Sequence, residues 1–209
     1  MSTETRWWWI RHAPVVDHGG RIYGQRDMAC DTSDAAAMSW LAAALPEGAV
    51  WVTSHLRRAI DTAAAIAAAG IEAPQPIIER DLAEQDLGDW QGLAWDELRA
   101  AGKPDYEAFW DDPGNISPPG GESLVQVMAR VSTVIERLTA EHAGRDIVAV
   151  THGGTIRSAL ALSLSLEPAR MIGFMIDNLS LTHIDHIPGG ILAGRGTAWR
   201  VMTVNALPG

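Results

Sequence analysis

Apolar runs alternate with amphipathic stretches along nearly the whole chain, which is the pattern of an α/β protein. Continuous apolar runs predict strands at 6–11, 49–53, 75–79, 146–151, 178–186 and 198–204. Periodic stretches predict helices at 33–45, 55–69, 94–101, 105–110, 122–142, 154–165 and 168–175. The clearest is 122–142, where Leu124, Met128, Val131, Ile135 and Leu138 recur at steps of four and three and form one stripe. The stretch 111–121, DDPGNISPPGG, is a loop that its prolines and glycines keep irregular. Its length suits a lid over a site. The alternation resumes after it, so the reading is one domain, 1–209.

The run 6–11, RWWWIR, reads as a strand covered on both faces, Trp7 and Trp9 one way and Trp8 and Ile10 the other. It ends at Arg11 and His12. In open α/β sheets ligands bind beyond the carboxyl ends of the strands, so the stretch reads either as a buried mounting that presents Arg11-His12 as chemistry or as a core strand that simply ends in polar residues. The same geometry recurs at 146–160. There an apolar strand runs to Thr151 and His152, and Gly153 and Gly154 open a helix whose N-terminus favours an anion. A third strand, near Thr53, leads into a helix with Arg57 and Arg58 in its first turn. Cations there oppose the helix dipole unless an anion joins them. Arg57 reads as a solvated surface residue, and Arg58 reads equally as such a residue or as one facing an anion. Glu84 sits in the acidic, glycine-broken stretch RDLAEQDLGDWQG and by itself reads as a surface carboxylate.

Charge and composition narrow the ligand. The 209 residues carry a net charge of −10 with a pI near 5.0. That disfavours a nucleic-acid partner, which would need a basic face. Charges in solution are screened beyond about 8 Å, so a local arginine cluster can still govern a small anionic ligand. Cys30 is the only cysteine, which excludes an intrachain disulfide and a CxxC zinc site and fits a reducing cytoplasm. The start, MSTETRWWWI, has no leader pattern, and no apolar run is long enough to span a membrane. His183 and Asp185 share a strand face in THIDHI, but no third ligand accompanies them, so a metal is not expected.

These segments together resemble the histidine phosphatase superfamily, the phosphoglycerate mutase-like fold. RHAP is similar to its Arg-His-Gly signature and SHLRRAIDTA to Ser-x-Leu-x-Arg-Ala-x-x-Thr-Ala. LAEQDLGDWQG resembles Leu-x-Glu-x-x-x-Gly-x-Trp-x-Gly, and PPGGES and VTHGGTIR match two later segments. The resemblance implies a three-layer α/β/α sandwich on a mostly parallel sheet of about six strands. It implies His12 as a transiently phosphorylated nucleophile, Arg11, Arg58 and His152 as ligands of the phosphoryl oxygens, and Glu84 as proton donor. Gly24, Tyr23, Arg26, Gly153, Glu122 and Ser123 become candidates for contacting substrate. The substrate would be a small phosphorylated metabolite, with no cofactor or metal.

The chemistry agrees with these roles. Phosphoryl transfer gathers charge on equatorial oxygens, which forked guanidiniums match. A neutral imidazole can attack in line if its other nitrogen is held as N–H. A carboxyl can protonate the departing alkoxide and then activate water. The chain departs from the family at Ala13, in place of glycine. It departs also at Val15 and His18, where many members carry Ser/Thr and Asn. His18 either replaces the amide contact or is only a loop residue.

Three activities fit: a phosphomonoesterase, a mutase returning the phosphoryl group to another hydroxyl, and a non-catalytic phospho-ligand binder. The family's mutases follow the acid with Arg-His-Tyr-Gly and the second histidine with Gly-Asn. This chain has Gln85-Asp86-Leu87-Gly88 and Gly153-Gly154, which favours the phosphatase. IYGQRD and PPGGES resemble segments of α-ribazole-5′-phosphate phosphatases, and similar pieces occur in broad-specificity sugar-phosphate phosphatases.

Overall fold

The structure, a computed structural model, describes residues 4–192, 195 and 198–208. Six strands form one sheet: β1 (Thr5–Arg11), β2 (Val50–Thr53), β3 (Ile77–Ile78), β4 (Asp146–Thr151), β5 (Leu181–His186) and β6 (Trp199–Ala206), in the order β3-β2-β4-β1-β5-β6. The first four in that order run parallel, and β5 and β6 continue the sheet antiparallel. Among the described residues six α-helices accompany them: α1 (Ala35–Ala44), α2 (Arg57–Ala68), α3 (Trp95–Ala100), α4 (Pro104–Asp111), α5 (Leu124–Glu141) and α6 (Gly153–Leu164).

Two cores flank the sheet and make three layers. On one face Trp7 and Trp9 stack, ring centroids 4.7 Å apart, and pack with Val131, Ile135 and Leu138 of α5 and Ile156 and Leu160 of α6. On the other, Ile10, Trp51, Val148 and Val150 meet Met38 and Leu41 of α1 and Ile66 of α2. The alternation read from RWWWIR is therefore the one the fold uses, with Trp8 partly buried on the second face. Burying a tryptophan removes roughly 150–250 Å² from water, worth about 4–6 kcal/mol. That outweighs the roughly 1–3 kcal/mol for a buried N–H without a partner, as at Trp9 Nε1; Trp7 Nε1 donates to Thr139 Oγ1 at 2.9 Å. β1 is thus a stiff mount for the residues that follow it.

Local signals set the helix ends. Asp34 accepts from the Ala37 N–H at the start of α1, and Ser123 and Gln126 form a capping box on α5. The α5 stripe is wider than its periodicity suggests, adding Val127, Val134 and Thr139 to the buried set and leaving Met128 partly buried. The 168–175 segment, read as a helix, is a 3₁₀ helix at Pro168–Gly173, with Pro168 at its start and Arg170 N donating to Glu167 O. The 75–79 strand contracts to Ile77–Ile78, since Pro74 and Pro76 have no N–H for a ladder. Two further 3₁₀ turns, Arg80–Leu82 and Gly88–Trp90, bracket Glu84. The strand read at 178–186 begins at Leu181, as β5, because 178–180 turn back onto β1: Leu179 N donates to Arg11 O and Asn178 Nδ2 to His12 O. Among the described residues no helix is long and apolar enough to cross a membrane.

Candidate active site

Three parallel strands end side by side and deliver the chemistry. The register sets Arg11 of β1 beside Thr151 of β4, and Val150 of β4 beside Thr53 of β2. The next residues, His12, His152 and Ser54, therefore leave the sheet at one edge. The His12 N–H still donates to Thr151 O at 2.9 Å, which ties the two turns together. The rings of His12 and His152 come to 5.2 Å, centroid to centroid, and both are fully buried.

Each histidine uses one ring nitrogen and leaves the other without a partner among the described residues. His12 Nδ1 lies 2.7 Å from the Ala13 carbonyl, which can only accept, so the proton sits on Nδ1 and the Nε2 lone pair is free. His152 Nε2 lies 2.7 Å from Ser54 Oγ, which also accepts from the Leu56 N–H, and its Nδ1 is unpartnered. Burial, then the Arg58 and Arg11 charges, push the His12 pKa down to about 3. Burial lowers His152 well below the ordinary imidazole value, with His12 and the same cations adding to it. Both rings are neutral at physiological pH, as a nitrogen nucleophile requires.

Arg11 and Arg58 bring charge to this point. Arg58, on the first turn of α2, is fully buried, and its guanidinium donates to Gly24 O at 2.6 Å and Arg26 O at 2.8 Å. Tyr23 lies beneath it, 5.1 Å from ring centroid to Cζ. Arg11 donates from Nη1 to Ile176 O at 2.6 Å. The Nε of each is buried and unpartnered. Burial lowers the Arg58 pKa, and Glu84 is the foremost charge opposing that. Arg57, next in sequence, is exposed and pairs with Asp61 at 2.9 Å, as its surface reading expects.

Glu84 is not a loose surface carboxylate. Its Oε1 accepts from Gly154 N at 2.9 Å and Gln85 N at 3.0 Å, so the start of α6 holds it. A methyl on Gly154 would fall on that oxygen, so the carboxyl keeps this place only with glycine there. The backbone leading to Glu84 is clamped by Thr155 Oγ1, which reaches Leu82 O and Ala83 O, and by Arg130. Arg130 donates to the carbonyls of Asp81, Ala83 and Glu84 while pairing twice with Glu122.

A cavity of about 630 Å³ opens above. Arg11, Tyr23, Gly24, Glu84 and Gly154 line it, and His12, Arg58 and His152 are buried behind that lining, His12 with its ring 6.5 Å from Tyr23 and Arg58 5.1 Å from it. His18 lines it too; its Nδ1 accepts from Gly20 N, and its ring meets Tyr23 edge-on at 5.7 Å. Gly24 has a left-handed φ of 44°. The other candidates lie elsewhere. Arg26 is exposed, and what it contributes is its carbonyl, under Arg58. Gly153 does not line the cavity but is buried between site groups, a Cβ on it lying 3.7 Å from Arg11 Nε and 3.8 Å from Glu84 Oε2. Glu122 serves Arg130 and the Asp86 N–H, and Ser123 caps α5, so neither is on the cavity wall. Of the 111–121 loop only Pro113 lines the cavity. Its far end is fastened to the floor loop by Asp89 N to Pro119 O and Glu122 N to Asp86 O, both 2.8 Å.

Sequence reasoning missed Ser54, Arg130 and Arg157, as well as the outer wall made by Trp95, Phe109 and Trp110. His183 and Asp185 pair with each other at 2.8 Å, and Trp8 stacks on the imidazole. No group of three or more His, Cys, Asp or Glu among the described residues is placed to hold a metal ion.

The histidine phosphatase superfamily (branch 1) profile matches residues 7–195, and the chain belongs to that superfamily. Phosphoglycerate mutase-like protein 4 of Arabidopsis thaliana is 41% identical over 107 residues, 51% of this chain and 46% of that protein, so the match spans about half of that relative. Glucosyl-3-phosphoglycerate phosphatase of Mycolicibacterium vanbaalenii is 38% identical over 170 residues, 75% of this chain and 73% of that protein. A solved structure of mycobacterial glucosyl-3-phosphoglycerate phosphatase superposes with a TM-score of 0.79 at 29% identity, covering 97% of this chain and 99% of that one. The architecture is the phosphoglycerate mutase-like one that the motifs imply.

Proposed function

We propose that the protein is a phosphomonoesterase that hydrolyses a small phosphorylated metabolite through a phosphohistidine on His12. The observation that carries this is the fixed tautomer of His12, whose free Nε2 lone pair lies in a buried cluster with two guanidiniums. Nε2 attacks phosphorus in line, and the P–O bond to the alcohol breaks. Arg11, Arg58 and His152 bear the charge on the equatorial oxygens. With Ser54 donating to its Nε2, His152 presents Nδ1–H to those oxygens. Glu84 gives its proton to the leaving alkoxide, then takes one from the water that attacks phosphohistidine, and P–N cleavage returns neutral His12 and orthophosphate. Every step uses the chain's own groups, so no metal is required.

The substrate is proposed from resemblance: a phosphorylated sugar or α-ribazole 5′-phosphate fits the segments, and the relatives named above include phosphatases of glucosyl-3-phosphoglycerate. Mutase chemistry is disfavoured because Gln85-Asp86-Leu87-Gly88 follows the acid and Gly153-Gly154 the second histidine, in place of the mutases' Arg-His-Tyr-Gly and Gly-Asn. Hydrolysis of p-nitrophenyl phosphate with excess EDTA tests the proposal. Turnover that persists supports it. Activity lost to the chelator and restored by a divalent ion would overturn the mechanism, and tight phosphate binding without turnover would make the protein a binder.

A further inference from the structure

Arg11 and His12 are held from outside the cavity by residues 176–180, the segment that leads into β5. The Arg11 N–H donates to Ser180 O at 3.3 Å, and Arg11 O accepts from Leu179 N at 3.0 Å. Arg11 Nη1 donates to Ile176 O at 2.6 Å, and Asn178 Nδ2 donates to His12 O at 2.7 Å. Just upstream, Phe174 O accepts from Arg157 Nε at 2.9 Å. The segment makes these bonds with Leu179 at a left-handed φ of 59°, a conformation that costs energy for any residue with a side chain. A restraint must hold it there, and Asn205 in β6 supplies one. Asn205 Oδ1 accepts from Asp177 N at 2.6 Å, and its Nδ2 donates to Asp177 Oδ2 at 2.7 Å, which closes a ring between the two residues. Asn205 N donates to Thr182 Oγ1 at 3.1 Å, where the register between β5 and β6 shifts. Its own φ is 57°, a region that asparagine enters more readily than most residues.

The Asp177 N–H and the Ile176 carbonyl belong to one peptide group. A trans peptide is planar, with its N–H and C=O pointing opposite ways. Asn205 therefore grips one side of that plane and Arg11 Nη1 binds the other. Each bond polarises the shared amide and strengthens its counterpart. The guanidinium is itself flat and rigid, so an anchor at Nη1 sets the direction of the buried, unpartnered Nε. Neither Asn205 nor Asp177 lines the cavity, so neither touches substrate. We propose that Asn205 and Asp177 are positioning residues, which fix the Ile176–Asp177 peptide and through it aim Arg11 at the phosphoryl oxygens. The inference rests on the phosphatase reading of the site, in which Arg11 binds those oxygens.

Asn205→Gly tests it, because glycine keeps the left-handed backbone and removes only the side chain. kcat/KM for p-nitrophenyl phosphate should fall about tenfold or more, as a slight misplacement of a binding group causes, and inhibition by orthovanadate should weaken in parallel. In an Arg11→Gln background the same substitution should cost less than about twofold, since its effect runs through Arg11. Asn205→Asp sets two carboxylates face to face and should also lose activity. Combining it with Asp177→Asn leaves an acceptor for the peptide N–H and reverses the amide–carboxylate bond, so most of the loss should be recovered. A fall in Tm with kcat/KM unchanged below the melt would overturn the inference. So would equal losses in the wild-type and Arg11→Gln backgrounds, or a swapped pair no better than Asn205→Asp alone. If Asn205→Gly does not fold, the swapped pair decides. If the wild-type protein does not hydrolyse p-nitrophenyl phosphate, the phosphatase reading fails by itself. Calorimetric binding of phosphate to the wild type and to Asn205→Gly then decides the role of Asn205, equal affinities counting against it.

Discussion

Gly154 holds Glu84: its backbone N–H donates to Oε1 at 2.9 Å, and a Cβ added to it would occupy the position of that oxygen. The space a methyl needs belongs to the end of a flexible side chain, so the fold can yield while the carboxyl cannot stay. Gly154→Ala is therefore expected to keep or slightly raise Tm, since alanine favours a helix over glycine by about 1 kcal/mol, while kcat on an alkyl phosphate falls about tenfold or more. A fall in Tm without a fall in kcat would show that the contact does not position the acid.

Glu84→Gln separates the acid from the rest of the site. It keeps the shape and removes the proton. Sugar phosphates, whose alkoxides leave poorly, should lose about 10²–10⁴-fold, and p-nitrophenyl phosphate much less at the phosphorylation step. Small, equal losses on both would remove Glu84 from the chemistry.

The clamp behind the acid has its own signature. Arg130 fastens the carbonyls of Asp81, Ala83 and Glu84 and pairs with Glu122 in a mostly buried setting. Arg130→Met strands Glu122 and frees that backbone, so a stability loss of about 3 kcal/mol is expected. As a positioning residue, Arg130 should also steepen the dependence of kcat on leaving-group basicity, as Glu84→Gln does. A stability loss with an unaltered leaving-group dependence would make Arg130 purely structural.

Most of the floor could be read from the sequence, because it hangs on strand ends. A fully apolar run that stops at a polar residue marks a buried strand and its rim, which is why Arg11, His12 and His152 could be placed. Arg58 and Glu84 needed the motif resemblance, since a helix-start arginine and a loop carboxylate are ordinary on a surface. Arg130, Ser54 and Arg157 were illegible, because their roles exist only once distant segments pack. The same holds for the partners of Glu122 and Ser123. Glu122 is claimed by a guanidinium eight residues along α5, and Ser123 by the first turn of that helix.

Burial of neutral imidazole makes stability depend on pH. The unfolded His12 ionises near the ordinary value of 6.5 and the folded one near 3, so between those values the unfolded chain binds more protons. Stability should fall as pH drops through that window, by a few kcal/mol in order of magnitude, with His152 acting in the same sense. Thermal melts between pH 7 and pH 4, on the order of the range set by the histidine pKa values, should show Tm falling in the wild type and a shallower slope in His12→Gln. Identical slopes would mean that His12 is not buried as a neutral base.

Rapid-quench labelling with a ³²P-phosphate ester tests the central claim most directly. The account predicts an acid-labile, base-stable label that maps to His12, forms within the first turnover, decays to orthophosphate, and is absent from His12→Ala. A label on Ser54, Cys30 or a carboxylate, or full turnover by His12→Ala, would contradict it.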